Sequence, residues 1–437
     1  MKCKVVIILL LISGNQLLAQ EILRKTDAIA LALEYNFDIR EADNNNKIAL
    51  NNAGIKNSGF LPTASASGSA NFSSTNSENT FNTGEVQSVT GVETQRYSAS
   101  VGLNYIVYNG QSRKYNFKKL QESLNLSELQ SRSIIENVIV NIFNVYYEVA
   151  RLTQNEITQK ETLGISRERL LRAKYSFDYG QSTQLEVLNA EVDYNNDSIS
   201  YLNIIQELDN QKRNLNLFLG RDVNTSFSVD TTLTYDENLS LGEILNNTMS
   251  NNVAILQQNG AYRSAEYDIK INSAGNLPTV GLNTSYGWNQ NNLGKTSIFN
   301  TQNQTALIYG ASVSWNIFDG GLTSTRKQNS RISLENQKLS LDRLKLNLNR
   351  DVNNAWSIYQ TALFVLKAEE KNLSTNERNF NRTSEQQSLG QITSLEFRQA
   401  QLNLLNAKLN YNQAKYNAKN AELALLQLSG ELMNAEY

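Results

Sequence analysis

Residues 179–190 read YGQSTQLEVLNA and residues 389–400 read LGQITSLEFRQA, so Gly180, Gln181, Thr183, Leu185, Glu186 and Ala190 recur as Gly390, Gln391, Thr393, Leu395, Glu396 and Ala400. Six identities in twelve at one offset of 210 mark an internal duplication, which governs how the rest of the chain is read. The same offset pairs Tyr108, Asn109 and Gly110 with Phe318, Asp319 and Gly320, and Gly220 with Gly430. Upstream the offset becomes 216: Gly59, Leu61, Pro62 and Thr63 match Gly275, Leu277, Pro278 and Thr279, so the only two prolines occupy one equivalent position. The change of offset falls between the Leu-Pro step and the following turn, where a loop is expected.

Within each copy the hydrophobic period changes in one order. A helical pattern runs from about Thr26 to Ser58 and should stop ahead of Pro62, because the residue before a proline disfavours the α region. A period of two follows, with Ala64, Ala66, Ala70 and Phe72, then Tyr97, Ala99, Val101, Leu103 and Tyr105, on the apolar side. The second copy repeats it in Val280, Leu282, Tyr286 and Trp288, then Leu307, Tyr309, Ala311, Val313 and Trp315. Polar links, about Ser73 to Arg96 and Gln290 to Thr305, are expected as loops between the strands. Long proline-free helices are expected from Gln111 to Asp178 and from Leu322 to Leu389. Val138, Ile142, Val145, Val149 and Leu152 form a heptad seam in the first, matched by Leu348, Val352, Ala355, Tyr359 and Ala362 in the second. Glycine turns at 180 and 390 end these helices, and shorter helices return to Gly220 and Gly430.

Composition removes whole classes of function. The chain has 437 residues, no histidine and one cysteine, Cys3, which excludes His-based acid–base chemistry, cysteine nucleophiles, disulfides and the common zinc and copper ligand sets. No cofactor is expected, and an exported carboxylate enzyme lacks the aromatic-rich globular core and paired-carboxylate pocket it would need. Forty basic against 42 acidic residues give no field to hold nucleic acid. Lys2 and Lys4, the apolar run Val5 to Ile12 and the small residue Ala19 read as an export leader over residues 1–19, whose removal would discard Cys3. The expected organisation is then a first repeat at 20–220, a linker at 221–240 and a second repeat at 241–437. Gly294, Lys295 and Thr296 resemble the end of a phosphate-binding loop, but the glycine required five positions earlier is Asn289.

Strands of this length, apolar on one face and rich in Ser, Asn and Gly on the other, match membrane-spanning β-strands. Four of them do not close a barrel, and an open edge in lipid leaves backbone groups unpaired at several kcal/mol each. Two copies would give eight strands around a filled interior, and three would give twelve around a lumen. A soluble sandwich, and an exported coiled-coil scaffold or adhesin whose strands pair in a stalk, stay open as alternatives.

The order helix, Leu-Pro step, strand pair, Asn/Asp-Gly turn, long helix and Gly-x-x-Thr tip, present twice, resembles the TolC-like outer membrane efflux proteins over essentially the whole chain. The resemblance implies a mainly α fold with transmembrane β: a homotrimer with a twelve-stranded outer membrane barrel, set in outer membrane lipid, and a long helical tunnel in the periplasm. It implies a passive duct that docks through its tips on a periplasmic adaptor serving an inner-membrane transporter. Gly180, Gln181, Gly390 and Gln391 then fall at the docking tips, and Pro62, Pro278, Gly110 and Gly320 at the junction of helices and barrel. Acidic residues line the periplasmic constriction in this family; Glu396 matches that position and Glu186 is its first-repeat counterpart. Both also read as N-terminal capping boxes, Thr183 with Glu186 and Thr393 with Glu396, and the two roles are compatible. Where some relatives carry a second acidic residue, a tyrosine and an arginine in the closing network, this chain has Gln399, Gln387 and Ile392, so the family's closed-state locks are not expected to carry over; Gln399 stands beside Glu186 and Glu396 as a candidate for the ring, with Arg398 or Arg382 as a substitute lock.

Overall fold

The computed structural model describes residues 22–236, 239–293 and 298–434; the expected leader and the Gly294, Lys295, Thr296 triplet lie outside them. The elements are β1 (Ile22–Leu23), α1 (Lys25–Tyr35), α2 (Phe37–Asn52), β2 (Thr63–Thr80), β3 (Val86–Asn109), α3 (Ser112–Asp178), α4 (Gln184–Phe218), β4 (Ser228–Val229), α5 (Leu241–Asn251), α6 (Val253–Ser273), β5 (Thr279–Asn292), β6 (Thr301–Ser314), α7 (Leu322–Ser388) and α8 (Ser394–Ser429). Helix pair, strand pair, long helix and return helix thus occur twice, in a mainly helical fold. Helices α3 and α7 have 67 residues each, about 100 Å at the usual rise. No helix among the described residues is long and apolar enough to cross a membrane.

The described residues of 22–44, 129–257 and 342–434 form one compact unit, and those of 45–128 and 258–341 another, so each unit draws on both repeats. In the first unit the heptad seam is the core: Val138, Ile142, Val149 and Leu152 of α3 are buried, as are Leu348, Val352 and Tyr359 of α7. Tyr146 donates its hydroxyl to the carbonyl of Leu23 at 2.8 Å, and burial pushes its phenol up to about 12. The parallel pairing of Leu23 with Val229 ties the linker to the N-terminal segment.

The single helix expected from Thr26 to Ser58 is broken at Asn36. Its backbone is extended, its side-chain amide donates to the carbonyl of Phe218 at 2.8 Å, and its Oδ1 accepts from the backbone N–H groups of Asp38 and Ile39. Asn36 therefore caps the start of α2 and pins that corner to the end of α4. The second repeat does the same 216 residues on: Asn252 donates to Leu428 at 2.9 Å and accepts from Ala254.

In the second unit the sheet is antiparallel in the order β2-β3-β5-β6. Its register aligns side chains by chemistry. One row across the sheet is Ala66, Val101, Tyr286 and Leu307, and a row on the opposite face is Ser69, Ser98, Asn289 and Gln304. The first polar link expected as a loop is largely strand, at 73–80 and 86–96, with hydroxyls satisfied across the ladder as where Ser73 meets Thr94 at 2.6 Å; in the second, 290–292 and 301–305 are strand. Composition alone read those residues as loop; cross-strand pairing makes them sheet.

After β3 the chain turns through Gly110 and Gln111, both left-handed at φ 66° and 67°, where the second repeat has Gly320 and Gly321. Gln111 carries a Cβ in a conformation costing about 1–2 kcal/mol. Gln111→Gly should therefore stabilise the fold by about 1 kcal/mol net of the added chain freedom, read as a higher urea midpoint; an unchanged or lower midpoint would refute it.

Candidate functional site

The tips are built from the ends of the long helices. Gly180 adopts φ 71° and donates its N–H to Phe177, and Gln181 donates to Ser176; Gly390 at φ 70° and Gln391 repeat this with Gln387 and Gln386. Each glycine closes its helix by offering N–H groups to otherwise unpaired carbonyls. A Cβ at either glycine would meet nothing within 4 Å, and Gln181 and Gln391 are exposed, so both tips present open surface.

The return helices start at Thr183 and Thr393, whose hydroxyls accept from the N–H groups of Glu186 and Glu396. The second start is a complete capping box: Glu396 Oε2 accepts from the Thr393 backbone N–H at 2.8 Å and from its hydroxyl at 2.9 Å. Those bonds, the backbone one first, hold the Glu396 carboxyl below its ordinary pKa. The capping contribution is therefore present above the unfolded carboxylate pKa and lost as pH falls through the lowered folded value. The first start is half a box. Glu186 Oε2 accepts from the Ser182 hydroxyl at 2.6 Å instead, because position 182 carries a hydroxyl where the second repeat has Ile392. Gln399 is exposed and donates to Asn403 at 2.9 Å.

A cluster that sequence reasoning did not assemble lies close by in the chain. Arg398 of α8 is 8 % exposed and makes a bidentate pair with Asp197 of α4, at 2.7 and 2.9 Å. Its Nε lies 3.5 Å from Asp193, which is also paired with Arg169 of α3. Gln401 adds bonds to the carbonyl of Thr162 and the hydroxyl of Ser166, both at 3.1 Å, and Ser166 donates to Asp197. Burial disfavours the Arg398 charge, but the hydrogen bonds and charge of Asp197, with Asp193, outweigh it and raise its pKa. The cluster thus locks α8 of the second repeat onto the α3–α4 hairpin of the first. Arg382 is exposed and takes no part. The signal was present in the difference between repeats: Leu188 and Ala407 stand where Arg398 and Asp197 have their counterparts.

The junction residues sit at element boundaries. Pro62 and Pro278 immediately precede β2 and β5, and Gly110 and Gly320 follow β3 and β6. At the first junction Arg113 donates to the carbonyls of Gly59 and Val107, at 3.0 and 3.2 Å, and to that of Ile106, while its guanidinium lies 4.5 Å from the Phe60 ring centre.

Known proteins share this fold. The chain is 22 % identical over 429 residues to the outer membrane efflux protein BepC of Brucella suis biovar 1, covering 97 % of this chain and 89 % of that one. Its fold matches the CmeC outer membrane channel of Campylobacter jejuni with a TM-score of 0.78 at 17 % identity, over 93 % of this chain and 86 % of that one. It also matches the outer membrane protein VceC of Vibrio cholerae with a TM-score of 0.73 at 18 % identity, over 93 % and 96 %. Residues 28–221 and 244–431 match the profile described as Outer membrane efflux protein. With both repeats covered, the chain belongs to the outer membrane efflux protein family.

Proposed function

We propose that three copies of the chain form a passive duct through the outer membrane and periplasm, in an efflux or type I secretion system for small molecules or peptides. A periplasmic adaptor docks at the glycine tips and joins the duct to an inner-membrane transporter, which supplies the energy. The observation that carries this reading is the sheet: four strands with one apolar face, and β2 and β6 left as unpaired edges. In lipid those edges require further copies, and three give the smallest barrel with an open lumen. A stripe on α4 supports assembly, since Leu185, Leu188, Val192, Ile199 and Leu202 recur at heptad spacing and are each half or more exposed. In a threefold assembly Glu186 and Glu396 would each form a ring of three; capping leaves the Glu396 carboxylate charged, so cap and cation-attracting ring coexist.

Purified protein is expected to migrate as a heat-modifiable trimer and to pass stepwise current across a planar lipid film. A water-soluble monomer that passes no current would reject the duct and favour an exported scaffold or adhesin. Docking is tested at the tips. Gly180→Trp with Gly390→Trp is expected to abolish efflux while the trimer persists, because both positions face open space; unchanged transport would reject the docking role.

A further inference from the structure

We propose that β6 of one copy pairs antiparallel with β2 of the next in a single register, with Ser312 opposite Ser69 of the partner subunit, and that this pairing extends β6 to Asp319. The inference rests on the assembly proposed above and adds its residue-level joint.

The repeats fix that register because their hairpins correspond residue by residue. Strand β2 opens against β3 with Thr63 opposite Asn104, and β5 opens against β6 with Thr279 opposite Ser314, the same pair displaced by 216 and 210. The following turns correspond as well. Asn109 accepts from the backbone N–H of Arg113 at 3.2 Å and Asp319 from that of Thr323 at 2.8 Å, while Gly59 packs on Arg113 and Gly275 on Thr323.

Within the chain the first repeat joins the second through β3 and β5, with Gly102 opposite Ser285. In a ring of repeats the next joint runs from the second repeat to the first. It needs β6 against β2, and these are the two free edges of the sheet. Moving Gly102 by 210 and Ser285 by 216 gives Ser312 opposite Ser69 of the partner subunit. The same shift sets Ala311 against Ala70 of the partner subunit, an apolar row, and Gly310 against Asn71 of the partner subunit, a polar one. A slip of one residue would oppose the two faces, and the repeat excludes slips of two.

A second observation points to the same joint. Tyr105, Ile106, Tyr108 and Asn109 at the end of β3 pair with β5 alone, opposite Leu282, Gly281, Val280 and Thr279. Their counterparts Trp315, Asn316, Phe318 and Asp319 lie past the end of β6 and are not strand, with Phe318 86 % exposed. The missing partner edge is Ala66, Ser65, Ala64 and Thr63 of the partner subunit. The turn glycines agree. A Cβ on Gly110 would lie 2.9 Å from that of Leu277, whereas a Cβ on Gly320 would meet nothing within 4 Å, and Leu61, the counterpart of Leu277, is 49 % exposed.

Cysteine cross-linking tests the register. A Cβ at Gly102 lies 3.9 Å from that of Ser285, within the span of a disulfide, so the equivalent intermolecular pair should bridge. The chain's own cysteine is Cys3, in the expected leader. Ser312→Cys is combined in turn with Ser67→Cys, Ser69→Cys and Asn71→Cys, and membranes are oxidised with copper-phenanthroline. The Ser69 combination is expected to give covalent trimer at about fivefold or greater yield over the other two, whose pairs are diagonal and about 7–8 Å apart. Greater yield from Ser67 or Asn71, or no cross-link in a protein that still migrates as a trimer, overturns the register and leaves the duct standing. A monomer without cross-links in all three overturns the duct itself.

Discussion

Gly220→Ala should destabilise the protein by about 2–5 kcal/mol, the sum of a left-handed alanine and an overpacked backbone contact. The glycine sits at φ 68°, and a Cβ there would stand 2.4 Å from the carbonyl oxygen of Tyr35 and 2.7 Å from its carbon. These are main-chain atoms with little freedom to retreat. Asn36, the next residue, is tied to Phe218 by its side-chain amide and caps α2 with its Oδ1. Gly430→Ala should act alike, with a Cβ 2.6 Å from the carbonyl oxygen of Asn251. There Arg132 also donates to the carbonyls of Gly430 and Asn251, at 2.9 and 3.2 Å, fixing both sides of the contact. Gly180→Ala is the control: it bears only the conformational cost, because its Cβ would point into open space. Urea midpoints should rank Gly220→Ala and Gly430→Ala well below Gly180→Ala; equal midpoints would refute the steric argument.

These corners also separate what sequence could tell from what it could not. Repeats, strand alternation and the heptad seam were legible because each is a periodic pattern within one stretch of chain, and the burial of Ile142 and Val352 follows from it. Asn36 and Asn252 stood at the repeat offset, yet apolar periodicity runs straight through both, so the break in the helix left no mark on the pattern. The ends of β2 and β3 were hidden for another reason: serine, threonine and asparagine favour turns locally, and only the opposing hydroxyl turns them into ladder. At the tips the capping residues were legible but not their partners. Glu186 finds Ser182 rather than the Thr183 backbone because of one hydroxyl. The Arg398 cluster was the least legible, since it gathers residues near 166, 195 and 400 from three helices and depends on differences between the repeats.

That cluster should carry the other large effect: Arg398→Ala is expected to cost about 3–5 kcal/mol, the usual penalty for removing one partner of a buried ion pair. Asp197 is 4 % exposed and receives two of its bonds from Arg398. Without the guanidinium its charge keeps only the Ser166 hydroxyl as a side-chain donor. Arg169 is a neighbouring cation, held on the same Asp193 that Arg398 approaches. Its Nε and Nη1 are buried without hydrogen-bond partners, but its Nη2 is committed to Asp193. Arg398→Lys should recover less than half of the loss, because an ammonium does not reproduce the two parallel bonds to Asp197. Arg398→Ala combined with Asp197→Ala should be more stable than Arg398→Ala alone, since the unpaired charge is gone, with a coupling of about 1–3 kcal/mol in the double-mutant cycle. If the two substitutions simply add, Arg398 and Asp197 do not act as a pair, and α8 is held to the α3–α4 hairpin by its other contacts, among them the bonds of Gln401 to Thr162 and Ser166 and of Asn412 to Asn155.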